Sequence, residues 1–323
     1  MNENLQTICS TVSNNFQAVS SVFTIGYKSS FAAYGVINMD REPSIDQIKE
    51  CKQFVEERLG KSSVFGTYAP KVLVIAKALR SSDPEGMINR MNEIYEVITK
   101  PFGKNTLMPS LAVLLADYPG DINALTAKAE QILTILRKRH PVLGVSTSFY
   151  PVIFLMAASE KSVEDMMSEA DVLNEMLRKR YKFDKENAYA LSFLLSASSE
   201  PSEWKAKAAD ALRTELKAEK IKYSWYGSVT ILAALTAASM RTDRGVLVSE
   251  IAEADKFLAS QKGIGGAFGL SEVVRRAAAA ACVLKALGEA DGPFPMIEFL
   301  TVMTCAAQIK SEQDSSAATS AII

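Results

Sequence analysis

The sequence predicts an all-α protein of repeated helical hairpins, an α/α solenoid or toroid-like array. Three observations carry that expectation. An apolar, Ala-rich segment, a short turn holding an acid and a longer amphipathic segment recur in that order from about residue 66 to 262. The openings at Pro70, Pro109, Pro151 and Ala190 lie 39, 42 and 39 residues apart, and a period of about 40 residues with two helices per repeat marks stacked or ring-closed hairpins. No long alternating run of β-branched residues argues for strands.

Taken in order, helices are expected over 3–23, 27–37 and 44–59, the last capped by Pro43-Ser44-Ile45-Asp46. Five hairpins follow. The first opens at Tyr68-Ala69-Pro70, turns at Ser82-Asp83-Pro84-Glu85 and continues to Lys100; the second opens at Met108-Pro109, turns at Pro119-Gly120-Asp121 and ends at Arg139. The third opens at Tyr150-Pro151, turns at Ser162 and reaches Arg180. The fourth opens at Tyr189, turns at Ser199-Glu200-Pro201-Ser202 and ends at Lys220, and the fifth runs from Tyr226-Gly227 through Arg241-Thr242-Asp243 to Gln261. Ser82, Ser162 and Ser202 stand where side-chain oxygens satisfy the first free N–H groups of a helix, with Glu85 and Asp165 three residues after the first two. Two more helices are expected over Ser271–Leu287 and Pro295–Lys310. The organisation is one continuous domain: residues 1–60 packing on the repeats of 61–262, C-terminal helices in 263–310, and a Ser/Ala-rich tail, 311–323, expected to be disordered. The first helix of each hairpin is the more apolar, which predicts an inner buried layer and an outer charged one.

Hydrophobic residues at 48% and charged residues at 23% supply enough apolar surface for a large core. The balance of 36 bases against 37 acids lacks the basic surplus by which nucleic-acid binders release counterions. Cys9, Cys51, Cys282 and Cys305 are scattered, never as a CxxC pair, and the chain has one histidine. That leaves no ligand set for a Cys/His metal site, and the cysteines read as small hydrophobes in a reducing compartment. The first nine residues carry no basic run and no apolar core of a signal peptide, and Leu107–Ala116 and Val229–Ala238 are too short to cross a bilayer. Cytoplasmic residence is expected.

Aromatic residues recur where inner helices begin: Tyr68, Tyr150, Tyr189 and Tyr226, with Trp225 beside the last. On parallel helices these rings gather at one end and form the candidate binding residues; the competing explanation is that repeats reuse one packing solution. Basic clusters close the outer helices, Arg137-Lys138-Arg139, Arg178-Lys179-Arg180 and Lys217, Lys220 and Lys222, with acids at the opposite ends. That distribution complements helix dipoles and also makes one rim positive. His140 before Pro141 reads as a C-terminal cap rather than a general base. Gly263-Ile264-Gly265-Gly266-Ala267-Phe268-Gly269 follows a helix, not a strand, and lacks the Lys-Ser/Thr of a phosphate loop. With the preceding Gln261 it resembles one repeat of the helical-toroid prenyltransferases and cyclases, without their acidic box or zinc ligands. Paired acids such as Glu164-Asp165 fall in turns, and Trp204 and Trp225 alone are sparse for sugar platforms.

Ser62-Ser63-Val64-Phe65 leading into an apolar helix, Ser82-Asp83-Pro84-Glu85 followed by Tyr95, Thr106-Leu107-Met108-Pro109 leading into Leu111–Ala116, and the Ala-rich final helices together resemble a bacterial family, the domain of unknown function four-thousand-and-three. The resemblance implies a bacterial cytoplasmic helical protein and brings no reaction or catalytic residue. The function expected is a non-catalytic binding or scaffold protein that takes a protein or peptide partner, with no cofactor, nucleic acid or membrane, and the oligomeric state stays open. An enzyme or small-molecule binder with a polar cavity inside a helical ring is the rival. A third reading, a structural oligomer subunit, requires an apolar patch on Val273–Leu287 or Pro295–Ile309.

Overall fold

A computed structural model describes residues 1–23, 28–60, 62–139, 145, 147–223, 228–266, 269–288, 301, 304 and 305. The described residues form fourteen α-helices and no strand. They are α1 (Glu3–Val22), α2 (Lys28–Ile37), α3 (Ile45–Leu59), α4 (Tyr68–Ala78), α5 (Pro84–Phe102), α6 (Met108–Leu115) and α7 (Ile122–Arg139). The second half holds α8 (Tyr150–Ala157), α9 (Val163–Glu175), α10 (Lys185–Ser196), α11 (Ser202–Ala218), α12 (Val229–Ser239), α13 (Arg244–Ser260) and α14 (Glu272–Ala286). A π-helical turn over Met176–Arg180 prolongs α9. His140, Trp225, Tyr226 and the tail 311–323 lie outside the described residues. Of the helix expected over Pro295–Lys310, Thr301, Thr304 and Cys305 are described, and these are helical and buried.

Apolar content separates two layers. Every residue of α6 and of α8 is buried, as are nine of the ten in α2. The longer helices bury one stripe: Leu125, Ala129, Ile132 and Leu136 on α7, and Met166, Ala170 and Leu173 on α9. The buried helices neighbour one another, α2 on α4 and α4 on α6, then α8 on α10, α10 on α12 and α12 on α14. The charged helices run outside them, and α1 packs on α2, α3, α13 and α14. Gly35 admits the close crossing of α1 and α2, since a Cβ there would meet the Val12 carbonyl oxygen at 2.7 Å.

Side chains cap the starts of α3, α5, α7, α9, α10 and α13, though two serines do not act as expected. Ser44 and Gln47 make a reciprocal capping box, and Ser162 caps α9 through Asp165 N. Asp83, not Ser82, caps α5 by accepting from Gly86 N at 2.9 Å, because Pro84 fixes the first helical position one residue later. Asp121, Asp184 and Asp243 cap in the same manner. Ser202 lies inside α11 and donates instead to Glu169 at 2.9 Å.

A helix leaves its last carbonyls without intrahelical partners, and here side chains from neighbouring elements take carbonyls at or just past the ends of the buried helices. Arg80 donates to Ile37 O at 2.8 Å and Arg41 to Leu79 O at 2.6 Å. Arg90 spans Ala116 O and Tyr118 O at 2.9 and 2.8 Å. Lys128 reaches Ser159 O and Lys161 O, and Lys205 reaches Leu195 O and Ser198 O. Arg90 and Lys128 each stand seven residues past an aspartate cap, at Asp83 and Asp121. Seven past Ser162 stands Glu169, where the sign is reversed: its carboxylate binds Lys161 at 2.6 Å and the fully buried Lys205 at 2.5 Å. Burial lowers the Lys205 pKa. Burial alone would raise Glu169, but hydrogen bonds from Lys161, Lys205 and Ser202 outweigh it and hold the carboxyl below its ordinary range.

Removing this carboxylate leaves Lys205 buried without an anion. Glu169→Gln is expected to lower unfolding stability in urea by about 3 kcal/mol at neutral pH, and Lys205→Met by less, since Lys161 and Ser202 still hold Glu169. Because the folded-state pKa of Glu169 is depressed, its contribution is present above the ordinary carboxylate range and lost as pH falls through the folded value. The gap between wild type and Glu169→Gln therefore closes on acidification. Equal stability at neutral pH would show that the cluster contributes nothing.

Candidate functional site

A broad indentation in the described surface lies between the outer helices α7 and α9, with a volume of about 900 Å³. Its α7 wall is Ala127, Glu130, Gln131, Thr134, Ile135 and Arg139, residues spaced by three and four along one helical face. Opposite stand Val163, Glu164, Met167, Ser168 and Asp171 of α9. Met167 is buried and Ile135 and Val163 half-buried, so they form an apolar floor, while Glu130, Gln131, Thr134, Glu164 and Ser168 are exposed along the rims.

One end is closed by an ion pair. Arg139 Nη1 donates to both carboxylate oxygens of Asp171, at 2.7 and 2.8 Å. Both charges act on Tyr189, whose hydroxyl burial pushes well above its usual range. The Tyr189 ring stacks on Phe149 at 5.8 Å and meets Phe193 edge-on at 4.6 Å. The other end of the groove holds Glu130 and Glu164. Three acids against one base, itself paired, leave the groove negative.

Of the aromatic residues singled out from sequence, Tyr189 is half-buried beside this ion pair. Tyr150 is elsewhere in the core, 4% exposed, with its ring edge-on to Phe102 at 4.9 Å. Tyr68 begins α4, and its side chain, like Trp225 and Tyr226, is outside what is described. The basic clusters connect successive outer helices: Arg139 joins Asp171 of α9, and Arg180 joins Glu203 of α11 at 3.0 Å. In the glycine run, the amides of Ile264 and Gly265 donate to Gln261 O, and Leu270 N donates to Ile264 O. These amides are spent on the turn rather than turned toward a ligand. Gly263 and Gly266 take positive φ values of 79° and 83° there, which explains their identity.

The buried charged side chains among the described residues are Lys77, Lys205 and Asp255. Each is paired, Lys77 with Asp117, Lys205 with Glu169 and Asp255 with Arg275. Among the described residues, no group of three His, Cys, Asp or Glu side chains is placed to hold a metal ion. None of the described helices is long and apolar enough to cross a membrane.

Fold and site together define an all-helical protein with a negatively charged groove between two outer helices. The chain belongs to the family described as a protein of unknown function (DUF4003), whose pattern it matches over residues 15–290. No curated protein and no solved structure matches it.

Two substitutions separate core from groove. Tyr150→Ala is expected to cost about 3 kcal/mol in urea unfolding through the cavity it leaves under Phe102. Arg139→Ala, which removes a half-exposed ion pair, should cost about 1 kcal/mol or less. A Tyr150→Ala variant as stable as wild type would show that this ring is not packing the core.

Proposed function

We propose that this chain is a non-catalytic cytoplasmic binding protein that holds a helical segment of a partner protein in the groove between α7 and α9. The observation that carries the reading is the groove itself: an apolar floor of Ile135, Val163 and Met167 between rims bearing Glu130, Glu164 and Asp171. From Ala127 to Arg139 the α7 wall runs about 18 Å, at about 1.5 Å per residue. That accommodates three turns of an amphipathic helix whose apolar stripe meets the floor and whose Lys or Arg residues meet the acids.

The scaffold is read as a single domain, a closed ring of helical hairpins. Supporting this, α14 packs on α1 and α2 as α12 packs on α14, and α1 stands between α13 and α3 in the outer layer. The recurrence of Arg90, Lys128 and Glu169 seven residues past a cap supports a true structural repeat. A binding role fits better than a polar catalytic interior because α6 and α8 are buried throughout and the buried charges are paired. Free thiols at Cys9, Cys51 and Cys282 favour a reducing compartment, and the bacterial source implied by the resemblance belongs to the same reading.

The test is fluorescence anisotropy with a labelled twelve-residue amphipathic peptide bearing a Leu stripe and Lys/Arg flanks. Binding is expected to weaken at least about tenfold in the Glu130→Lys, Glu164→Lys double variant, equivalent to about 1.4 kcal/mol, and to weaken with salt. Ser168→Trp, which fills the groove without changing charge, should weaken it as well. An affinity unmoved by both variants would place any peptide site elsewhere.

A further inference from the structure

Two of the four cysteines meet where α1 packs against α14. Cys9 on α1 and Cys282 on α14 are both fully buried and both free thiols. The pairing register is fixed nearby: Asn4 Nδ2 donates to Ala286 O at 3.3 Å, so the start of α1 lies against the end of α14. Advancing five residues along α1 moves about 7.5 Å, and retreating four along α14 moves about 6 Å, which brings Cys9 level with Cys282 in an antiparallel pair. The neighbouring Cys9 thiol first, and burial second, push the Cys282 thiol well above the usual range. The α14 run Ala277–Ala281 is buried, and its small side chains allow a neighbouring helix the close approach that a disulfide needs.

We propose that Cys9 and Cys282 are a disulfide site at the seam of the fold, oxidised by a low-molecular-weight disulfide and locking α1 to α14. It does not depend on the groove reading. Thiolates carry out the exchange, and both thiols are buried, so reaction waits on α1 lifting from its neighbours. The Cys9 thiolate then attacks one sulfur of the small disulfide, whose S–S bond breaks and expels one thiolate. As α1 returns, the Cys282 thiolate attacks the Cys9 sulfur of the mixed disulfide and expels the second. The two protein protons end on the two released thiols, and the protein pair has lost two electrons to the small disulfide. Excess thiol reverses the sequence. Cys51 is placed differently, half-buried, with its Sγ 3.8 Å from Ile75 O and its thiol pushed up by burial to about 11.

The full chain incubated with oxidised glutathione, alkylated, digested and read by mass spectrometry without reduction tests this. The expected product is one cross-linked peptide joining Cys9 to Cys282. It is absent from Cys9→Ser and from Cys282→Ser and retained in the Cys51→Ala, Cys305→Ala double variant. The unfolding midpoint of the oxidised chain is expected to rise by roughly 5 °C or more and to fall back with dithiothreitol. Glutathione on both cysteines without a cross-link, a link through Cys51 or Cys305, a lowered midpoint, or thiols still unreacted in mild urea would each overturn the proposal.

Discussion

The constraint on which the rest of this structure depends is the supply of hydrogen-bond donors to the carbonyl ends of the buried helices. An α-helix leaves its last four carbonyls unsatisfied and its C-terminal end partly negative. At or just past the ends of α2, α4, α6, α8 and α10, carbonyls accept from Arg80, Arg41, Arg90, Lys128 and Lys205. Each cation answers both needs at once, as donor and as charge complementary to the dipole. Asp40, Asp117 and Glu169 then neutralise Arg80, Lys77 and Lys205. The ends of the apolar helices are thereby supplied with donors, and for α6, α8 and α10 the donor is a basic residue on a long outer helix, Arg90 of α5, Lys128 of α7 and Lys205 of α11.

The same constraint accounts for where the groove lies. In α5 and α7 the residue seven past the cap is a cation reaching the next inner helix. In α9 it is Glu169, and the cations come instead from Lys161 before the helix and Lys205 on α11. Ser202 adds a third bond from α11 to the same carboxylate. This cluster ties α9 to the hairpin that follows it. Toward α7 the link is different: Lys128 holds the turn before α9, through Ser159 O and Lys161 O, and Arg139 bridges to Asp171. The groove lies along these two helices, between residues 127–139 of α7 and 163–171 of α9.

Local order was legible where local chemistry decides it. The three opening helices expected over 3–23, 27–37 and 44–59 are found at Glu3–Val22, Lys28–Ile37 and Ile45–Leu59, because apolar spacing and caps such as Ser44 act within one turn. The displaced caps have equally local reasons, Pro84 at α5 and the pull of Glu169 on Ser202 at α11. Lys77 and Lys205 were not legible, since a lysine at helical spacing looks the same whether it meets water or a neighbouring carbonyl; the shared offset of Arg90 and Lys128 from their caps signals those two residues and not Lys77 or Lys205, which stand ten and four past the N-caps Thr67 and Pro201. The groove was not legible either. Its α7 wall of Ala127, Glu130, Gln131 and Thr134 has the composition of a solvated face, and only the packing of α7 beside α9 makes it one side of an indentation. The repeat position that singled out Tyr189 and Tyr150 could not distinguish the half-buried first from the buried second.

An array of hairpins held only by nearest neighbours has two ends from which it can fray, and its stability grows as a sum of repeats and interfaces. Contacts between first and last helices change that arithmetic, because opening any one interface then leaves the rest closed from the other side. Here the first helix is engaged from several directions. Asn2 donates to Glu250 of α13 at 2.5 Å, Asn4 to the end of α14, and Asn15 to Asn38 O and Arg41 O after α2, each at 2.8 Å. These bonds are polar, and beside them the two helices bury Cys9, Cys282 and the alanines of α14 together with Leu5, Val12 and Phe16 of α1 and Val274, Val283 and Leu284 of α14. The small side chains allow close approach, and the larger apolar ones supply the buried area. A junction of that kind is the place in the fold where one added covalent bond alters stability most, since it would restrain the ends of nearly the whole chain.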